Sequence, residues 1–340
     1  MQKDRLLGKT LAELEVFVSE RKAPRYVAKQ IADWLYKKKV QQIDEMTNLS
    51  KRFREELATD YEIGIHPPVN EQQSSDGTIK FLFEAGENKY IESVYIPDKD
   101  RATLCVSSQV GCKMNCLFCM TGKQGFSGNL SAGEIINQIQ SIPQSDMLTN
   151  VVFMGMGEPL DNTEEVLKAI EIITSDYGYA WSPKRITLST IGIKKDMENV
   201  LQRTNCHIAV SLHNPFHEER LAIMPMEKAS PVQEIIDILK RYDFSHQRRI
   251  SFEYILFKGK NDSIVHAKEL VKLLSGIPCR VNLIRFHSIP NVELESPDMP
   301  TILKFQEYIN SKHNIICTLR KSRGEDILAA CGMLSTKKLG

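Results

Sequence analysis

The sequence predicts an α/β protein built around a partial (β/α)6 barrel of the TIM type. From Ala102 onward, short apolar strands alternate with amphipathic helices, as in parallel sheets with right-handed crossovers. The first of these strands leads into a loop with three closely spaced cysteines. Functional loops of such barrels follow the carboxyl ends of the strands. We therefore expect the site at that end of the barrel.

The 340 residues divide into regions with different hydrophobic periods. Leu11, Leu14 and Val18 recur at helical spacing, whereas the segment before Ala102 has two strand-like runs separated by a turn. We expect, in order, a small helical accessory domain (1–60), a β-hairpin linker (61–100), the barrel (101–312) and a C-terminal extension with a strand and a cysteine loop (313–340).

The barrel region contains six apolar runs of strand length and helical segments between them. Ser131 with Glu134 three residues later forms a capping box that predicts a helix start. The predicted strands are 102–108, 150–156, 185–190, 207–212, 250–257 and 280–286, with one last strand at 315–319.

Composition indicates a packed soluble protein, with 42% hydrophobic and 26% charged residues. No apolar stretch approaches 18 residues, so no membrane-spanning helix is expected. The N-terminal residues lack the apolar run of a secretory signal. Eight cysteines without an export signal favour metal or catalytic chemistry over disulfides, and hence a cytoplasmic protein. No sequence feature suggests an interface, so a monomer is expected.

The net charge is only +1, so nucleic-acid binding would require a local basic surface. The segment Arg21–Arg54 has ten Lys and Arg against three Asp and Glu, interleaved with aromatic residues such as Tyr26 and Trp34. This composition fits phosphate binding with base stacking. It equally fits a solvated helical surface.

The cysteine loop has the spacing Cys112-x3-Cys116-x2-Cys119. Three thiolates can hold three irons of a [4Fe–4S] cluster and leave the fourth iron open. A structural zinc site would need a fourth ligand, for which Cys105 is the available thiol. A ferredoxin-type cluster would need a fourth cysteine and usually a Cys-Pro end, but Met120 follows Cys119.

Further candidates follow the next strands. Gly157 lets a ligand approach the backbone, and Glu158 can receive an ammonium group. Ser189 ends the third strand, and the run Ser211-Leu212-His213 ends the fourth. Without the cysteine loop these would be ordinary tight-turn and strand-end residues.

Two cysteines outside the loop also stand out. Buried inert thiols are the default interpretation of Cys105 and Cys331. Cys331, however, precedes Gly332 in a turn of small residues where a thiol can be reached.

Together these motifs resemble radical S-adenosylmethionine (SAM) enzymes, in particular the dual-specificity 23S rRNA and tRNA adenine-C2 methyltransferases. The resemblance runs from about Pro24 to Gly332. It rests on the three-cysteine loop, Arg101-Ala-Thr-Leu-Cys105-Val-Ser-Ser-Gln-Val-Gly, Met154-Gly-Met-Gly-Glu-Pro159, Leu188-Ser-Thr190, Ser211-Leu-His213 and Arg323-Gly-Glu-Asp-Ile-Leu-Ala-Ala-Cys331-Gly.

The resemblance implies a [4Fe–4S] cluster and SAM as cofactors. It assigns cluster binding to Cys112, Cys116 and Cys119, and SAM contacts to Gly157, Glu158, Ser189, Ser211, Leu212 and His213. The family commonly has Asn after the sixth strand where this chain has His287. Imidazole can still donate a hydrogen bond, so His287 is also expected to contact SAM.

The resemblance also implies a mechanism with two SAM molecules. Cys331 first becomes S-methylcysteine, and a radical made from a second SAM converts its methyl group to a methylene radical that adds to carbon 2. Glu92 removes the ring proton, and Cys105 attacks Cys331, which releases the product and leaves a transient disulfide. The implied partners are 23S rRNA, tRNA and an electron donor such as flavodoxin or ferredoxin.

Three alternatives remain open on the sequence alone. The related antibiotic-resistance enzymes methylate carbon 8 of the same rRNA adenosine with the same parts. A zinc-stabilised RNA-binding protein would leave Glu158 and Cys331 without a purpose. A radical enzyme acting on a small molecule would not require the Cys105 and Cys331 pair.

Overall fold

The computed structural model describes residues 3–244, 250–312 and 315–336. The predicted accessory domain and C-terminal extension therefore include a few residues, 1–2, 313–314 and 337–340, that lie outside the described residues. Within the described residues, no helix has both the length and the apolar character needed to cross a bilayer.

Short strands and helices alternate along most of the chain. The strands are β1 (Asp4–Arg5), β2 (Tyr61–Glu62), β3 (Asn70–Gln73), β4 (Ile79–Glu84), β5 (Tyr90–Asp98), β6 (Arg101–Cys105), β7 (Gln109–Gly111), β8 (Phe126–Asn129), β9 (Asn150–Phe153), β10 (Ile186–Thr190), β11 (His207–Ser211), β12 (Ile250–Leu256), β13 (Cys279–Arg285) and β14 (Ile315–Leu319). The α-helices are α1 (Leu11–Glu20), α2 (Tyr26–Ala32), α3 (Lys51–Asp60), α4 (Met120–Gln124), α5 (Ala132–Gln140), α6 (Thr163–Thr174), α7 (Lys194–Arg203), α8 (His217–Ile223), α9 (Val232–Leu239), α10 (Ile264–Leu273) and α11 (Met299–Asn310).

The main sheet has ten strands in the order β14-β13-β12-β11-β10-β9-β6-β5-β4-β3. The seven strands from β6 to β14 are parallel, which confirms the predicted strand–helix alternation. The predicted hairpin, β4 and β5, pairs antiparallel with β6 and so continues the same sheet. Strands β6 and β9 are shorter than predicted, because the chain turns into the site loops directly after Cys105 and Phe153.

The two faces of the parallel sheet have opposite character. Leu188, Ile208 and Phe252 point outward and are almost fully buried against the surrounding helices. Each such side chain contributes about 1.5–3 kcal/mol by burial. The inward positions include many polar side chains, and Thr187 pairs in register with His207. The inward side chains line a cavity of about 980 Å³, as expected for a partial barrel.

The accessory domain, called the N-terminal module from here on, makes close backbone contacts with the barrel. The Leu6 and Leu7 amides donate to the carbonyls of Glu62 and Ile63, which closes the module on itself. Gly8 then lies directly against Gly133 in α5. The sequence predicted only helices here, and the short pair β1–β2 was missed because a two-residue strand has no recognisable period.

We predict that Gly133→Ala will weaken this docking, because the added Cβ would lie 2.5 Å from the Leu7 carbonyl oxygen. Overpacking of this kind typically costs about 1–3 kcal/mol. Urea unfolding of the full chain measures the effect. Gly128→Ala is the matched control, since its Cβ would meet no atom within 4 Å. Equal stability of the two variants would contradict the tight contact.

Candidate active site

The three loop cysteines lie between the small antiparallel strands β7 and β8. Gly111 ends β7 with φ +78°, and a Cβ there would be 1.7 Å from the Gly125 carbonyl oxygen. That carbonyl accepts a hydrogen bond from the Cys112 amide, so the loop is closed on itself. Cys112, Cys116 and Cys119 all line one cavity at the carboxyl ends of the parallel strands.

The electrostatics of these thiols suit a cationic centre. Burial raises the pKa of Cys112 to about 12 and places that of Cys116 well above its usual range, and the neighbouring thiols add to both shifts. Iron would reverse this preference, because a metal-bound thiol loses its proton. Cys105, the fourth ligand in the zinc alternative, instead lines the neighbouring cavity of about 980 Å³ inside the barrel, called the large cavity below.

Glu158 places a buried carboxylate in the cavity of the loop cysteines. Its Oε1 accepts hydrogen bonds from the Leu160 amide (3.0 Å) and the Thr190 hydroxyl (2.5 Å), and its Oε2 accepts from the Ile191 amide (2.9 Å). Burial outweighs these donors and raises the pKa of Glu158 to about 7. A bound ammonium group would favour the ionised form.

His213 lies in the same cavity as a neutral imidazole. Its Nδ1 accepts a hydrogen bond from the Ile255 amide (3.0 Å), which assigns the proton to Nε2. Burial, together with the charge of Arg220, lowers the pKa of His213 to about 3. His213 is therefore a hydrogen-bond donor that does not change charge near neutral pH.

Ser189 and Ser211 line this cavity from the ends of β10 and β11. Leu212 is fully buried behind this lining, and its amide donates to the Glu253 carbonyl (3.0 Å), so its predicted contact with SAM stays a prediction. The Leu212 carbonyl accepts a hydrogen bond from Arg220 Nε (2.9 Å), which orients the strand end.

Arg220 is a residue that the sequence analysis missed. Its fully buried guanidinium also donates to the carbonyls of Ser211 (2.9 Å) and Ile191 (3.2 Å), and it forms an ion pair with Glu227. Breaking a buried pair by removing one partner costs about 3–5 kcal/mol. Arg220 thus ties together the two strand ends that carry the predicted SAM contacts.

Cys105 and Cys331 both line the large cavity of about 980 Å³, and their joint role stays a prediction. Cys331 also lines the cavity of the loop cysteines, so it lies at the boundary between the two. No disulfide joins any of the eight cysteines, all of which lie within the described residues, so the expected transient disulfide is not present here. Burial raises the pKa of Cys105 to about 12 and raises that of Cys331, while Arg320 opposes both shifts.

Glu253 is a second buried carboxylate that the sequence did not reveal. Its Oε1 accepts hydrogen bonds from Ser251 (3.1 Å) and Asn282 (2.8 Å). Its Oε2 has no hydrogen-bond partner among the described residues and lies 3.7 Å from Arg320 Nε. The only available signal was its inward position in the apolar strand β12.

Glu92 does not line the cavity of Cys105 and Cys331. It lies in β5 and faces an adjoining cavity of about 760 Å³. The segment after Cys331 separates the two spaces, because Leu334 faces the first cavity and Ser335 the second. The Ser335 amide donates to Glu92 Oε2 (3.0 Å).

His287 also lies away from the cavity of the loop cysteines. It lines the large cavity, where its Nε2 is 2.9 Å from the Ser322 hydroxyl oxygen and its Nδ1 is 3.6 Å from a Glu325 carboxylate oxygen. Burial lowers the pKa of His287, so the ring favours its neutral form. Its predicted contact with SAM stays a prediction.

Basic side chains surround the large cavity: Arg101, Arg280, Arg320, Lys321 and Arg323. On the N-terminal module, part of the predicted basic surface is paired internally, for example Arg25 with Glu15 and Lys39 with Asp146. Tyr26 is 63% exposed. Cations at the cavity are paired as well, for example Arg320 with Glu253 and Arg323 with Asp98.

Comparisons with known proteins agree with this site. The pattern of the Radical SAM superfamily matches residues 106–271, and that of the Ribosomal RNA large subunit methyltransferase N-terminal domain matches residues 5–63. A probable dual-specificity RNA methyltransferase RlmN of Parabacteroides distasonis is 62% identical, covering 99% of this chain and 98% of its own. The RlmN of Syntrophus aciditrophicus is 43% identical, covering 97% and 96%. The crystal structure of a radical SAM methyltransferase from Sphaerobacter thermophilus superposes with a TM-score of 0.91 at 38% identity, covering 98% and 100%.

The partial barrel and the three-cysteine loop define a radical SAM enzyme, whose cofactors are a [4Fe–4S] cluster and SAM. The match extends over almost the whole chain and includes the N-terminal domain. The chain belongs to the RlmN family of dual-specificity RNA methyltransferases. The resemblance drawn from the motifs is thereby confirmed.

We predict that Arg320→Gln will shift alkylation of Cys331 by iodoacetamide to higher pH, by about one unit. The reason is that Arg320 stabilises the thiolate, which is the reactive form. Mass spectrometry of the Cys331 peptide across pH measures the shift. Arg323→Gln is the control, since Arg323 pairs with Asp98 in the same cavity. Coincident profiles for both variants would remove Arg320 from this role.

Proposed function

We propose that this enzyme methylates carbon 2 of an adenosine in 23S rRNA and of the adenosine 3′ of the anticodon in certain tRNAs. The observation that carries the proposal is the position of Cys331, which lines both the cavity of the loop cysteines and the large cavity that holds Cys105. A methyl group on Cys331 would be reachable from the cofactor on one side and from a nucleobase on the other.

The chemistry of the target explains why two thiols are needed. Carbon 2 of adenine is electron-poor, so it cannot attack a sulfonium methyl group directly. The Cys331 thiolate is a competent nucleophile and would take the methyl group from a first SAM. Cys112, Cys116 and Cys119 would hold the cluster, which together with a second SAM would supply the radical chemistry that removes a hydrogen atom from that methyl group.

The remaining steps belong to residues of this chain. The methylene radical on Cys331 adds to carbon 2 of the adenine. Glu92 accepts the ring proton once the adenine has displaced the Ser335 amide from the Glu92 carboxylate. Once the adduct has lost the ring proton and its unpaired electron, for which the bound cofactor would be the acceptor, the Cys105 thiolate attacks the Cys331 sulfur. The carbon–sulfur bond breaks, and its electron pair stays with the methylene carbon on the adenine. That carbon then takes a proton to become a methyl group. A Cys105–Cys331 disulfide remains, which must be reduced before the next turnover.

The substrate contacts would follow the charge distribution. Cations at the large cavity would bind phosphates next to the target nucleotide, and the N-terminal module would bind RNA farther away. Glu158 would receive the amino group of SAM, and Gly157, Ser189, Ser211, Leu212 and His213 would complete its site. We further propose that the enzyme acts as a cytoplasmic monomer reduced by flavodoxin or ferredoxin.

We predict that anaerobic turnover of a 23S rRNA fragment with CD3-labelled SAM will give a CD2H group on carbon 2 and deuterium in 5′-deoxyadenosine. The deuterium is lost because the radical abstracts it from the methyl group on Cys331. Nucleoside mass spectrometry measures both products. An anticodon stem-loop of tRNA serves as the second substrate.

Other labelling patterns would contradict parts of the proposal. Transfer of an intact CD3 group would exclude the methylene route, and label on carbon 8 would place the enzyme with the antibiotic-resistance branch. Modification of only one of the two RNAs would remove the dual specificity of this chain.

We predict that Cys105→Ala will accumulate a covalent RNA–protein adduct, because no thiol remains to attack Cys331. Denaturing gel electrophoresis with labelled RNA detects the adduct. Cys317→Ala is the control, since Cys317 is a buried packing residue of β14. Release of free methylated RNA by Cys105→Ala at the wild-type rate would remove Cys105 from the resolving step.

A further inference from the structure

Lys80 and Glu92 form an ion pair that the methylation chemistry above does not use. They lie on the adjacent antiparallel strands β4 and β5, where Lys80 is opposite Val94 and Leu82 is opposite Glu92. The two residues are thus diagonal neighbours on one face of the sheet. Lys80 Nζ lies 3.1 Å from Glu92 Oε1, and the two side chains are only 11% and 7% exposed.

Among the described residues that line the cavity of Glu92, Lys80 is the only cation. The titratable groups that line its cavity, among the described residues, are Glu71 of β3, Lys80 of β4, Glu92 itself and Asp326 of the C-terminal extension. Asp326 is held by the Ser74 hydroxyl (2.6 Å). The second oxygen of Glu92 accepts a hydrogen bond from the neutral amide of Ser335. Lys80 is therefore the cation that the described residues place against this carboxylate.

The ion pair determines whether Glu92 can accept a proton. Burial raises the pKa of Glu92, while the charge and hydrogen bond of Lys80 lower it. A buried carboxylate without a cation tends to be protonated, and a protonated carboxyl group is no longer a base. The hydrogen bond to Lys80 also fixes the direction of the other oxygen.

We propose that Lys80 is a positioning residue for the methylation reaction, holding Glu92 ionised and oriented for removal of the ring proton. The proposal rests on the proposed role of Glu92 as the base. The proton moves from carbon 2 to a Glu92 oxygen, and the ammonium group of Lys80 keeps its own protons throughout. No bond to Lys80 forms or breaks.

The test compares Lys80→Met with Lys80→Arg in the cluster-loaded, Cys331-methylated enzyme. Single turnover with the 23S rRNA fragment is followed across pH for two quantities, the covalent adduct and the free methylated RNA. In Lys80→Met the pKa of Glu92 rises. The pH below which the rate of release of free methylated RNA falls, here called the acidic limb, should therefore move up by about one unit. Adduct should accumulate below that limb, and Lys80→Arg should keep the wild-type limb.

Two controls separate this effect from general damage. Methylation of Cys331 by the first SAM needs no ring deprotonation, so Lys80→Met should retain it. Lys89→Met removes an exposed lysine at the turn of the same hairpin, where it bonds the Ser127 carbonyl, and should leave the limb unchanged. An unmoved limb in Lys80→Met, or a moved limb in Lys80→Arg, would overturn the proposal.

Glu92→Gln distinguishes a failure of Lys80 from a failure of the proposed function. If Glu92→Gln stops at the adduct while Lys80→Met behaves as wild type, Glu92 is the base and Lys80 does not position it. If Glu92→Gln releases methylated RNA normally, Glu92 is not the base, and the role of Lys80 fails with it.

Discussion

The alternation of side chains along the parallel strands is the constraint on which the rest of the structure depends. Successive residues of a strand point to opposite faces, so the register that buries Ile208 and Val210 against the helices must turn His207 and Ser211 inward. A shift by one residue would place polar groups against the helices and apolar groups in the cavity. The hydrophobic outer layer thus fixes the position of every inward functional group.

Within this frame, buried charge gives the site its chemical character. Arg220 with Glu227 is fully paired and serves to hold strand ends, whereas Glu158 relies on neutral donors and keeps a raised pKa. The difference has a physical meaning, since a paired charge is already satisfied and an incompletely compensated one favours a cationic ligand. Arg220 therefore maintains the geometry of the site, whereas Glu158 is suited to bind a cationic ligand.

The sequence revealed the fold class and the cysteine loop because both depend on local patterns. The strand–helix alternation, the cysteine spacing and the strand-end position of Ser189 can be recognised from short segments. Arg220 and Glu253 could not be found in this way, because an isolated Arg or Glu carries no sign of burial until distant strands surround it. The separation of Glu92 from Cys331 was equally hidden, since it depends on where the last residues of the chain return.

The segment that follows Cys331 connects the three-cysteine loop with Glu92, the proposed catalytic base. The Gly332 carbonyl accepts a hydrogen bond from the Met120 amide, directly after the last loop cysteine, and the Leu334 carbonyl accepts one from Thr121 Oγ1 (2.7 Å). The next residue donates its amide to Glu92. Because one short segment holds Cys331, contacts α4 and covers Glu92, a displacement that opens Glu92 to a nucleobase must also strain or break the contacts with α4. The position of Cys331 and the access of a nucleobase to Glu92 are therefore coupled, because a movement of this segment changes both.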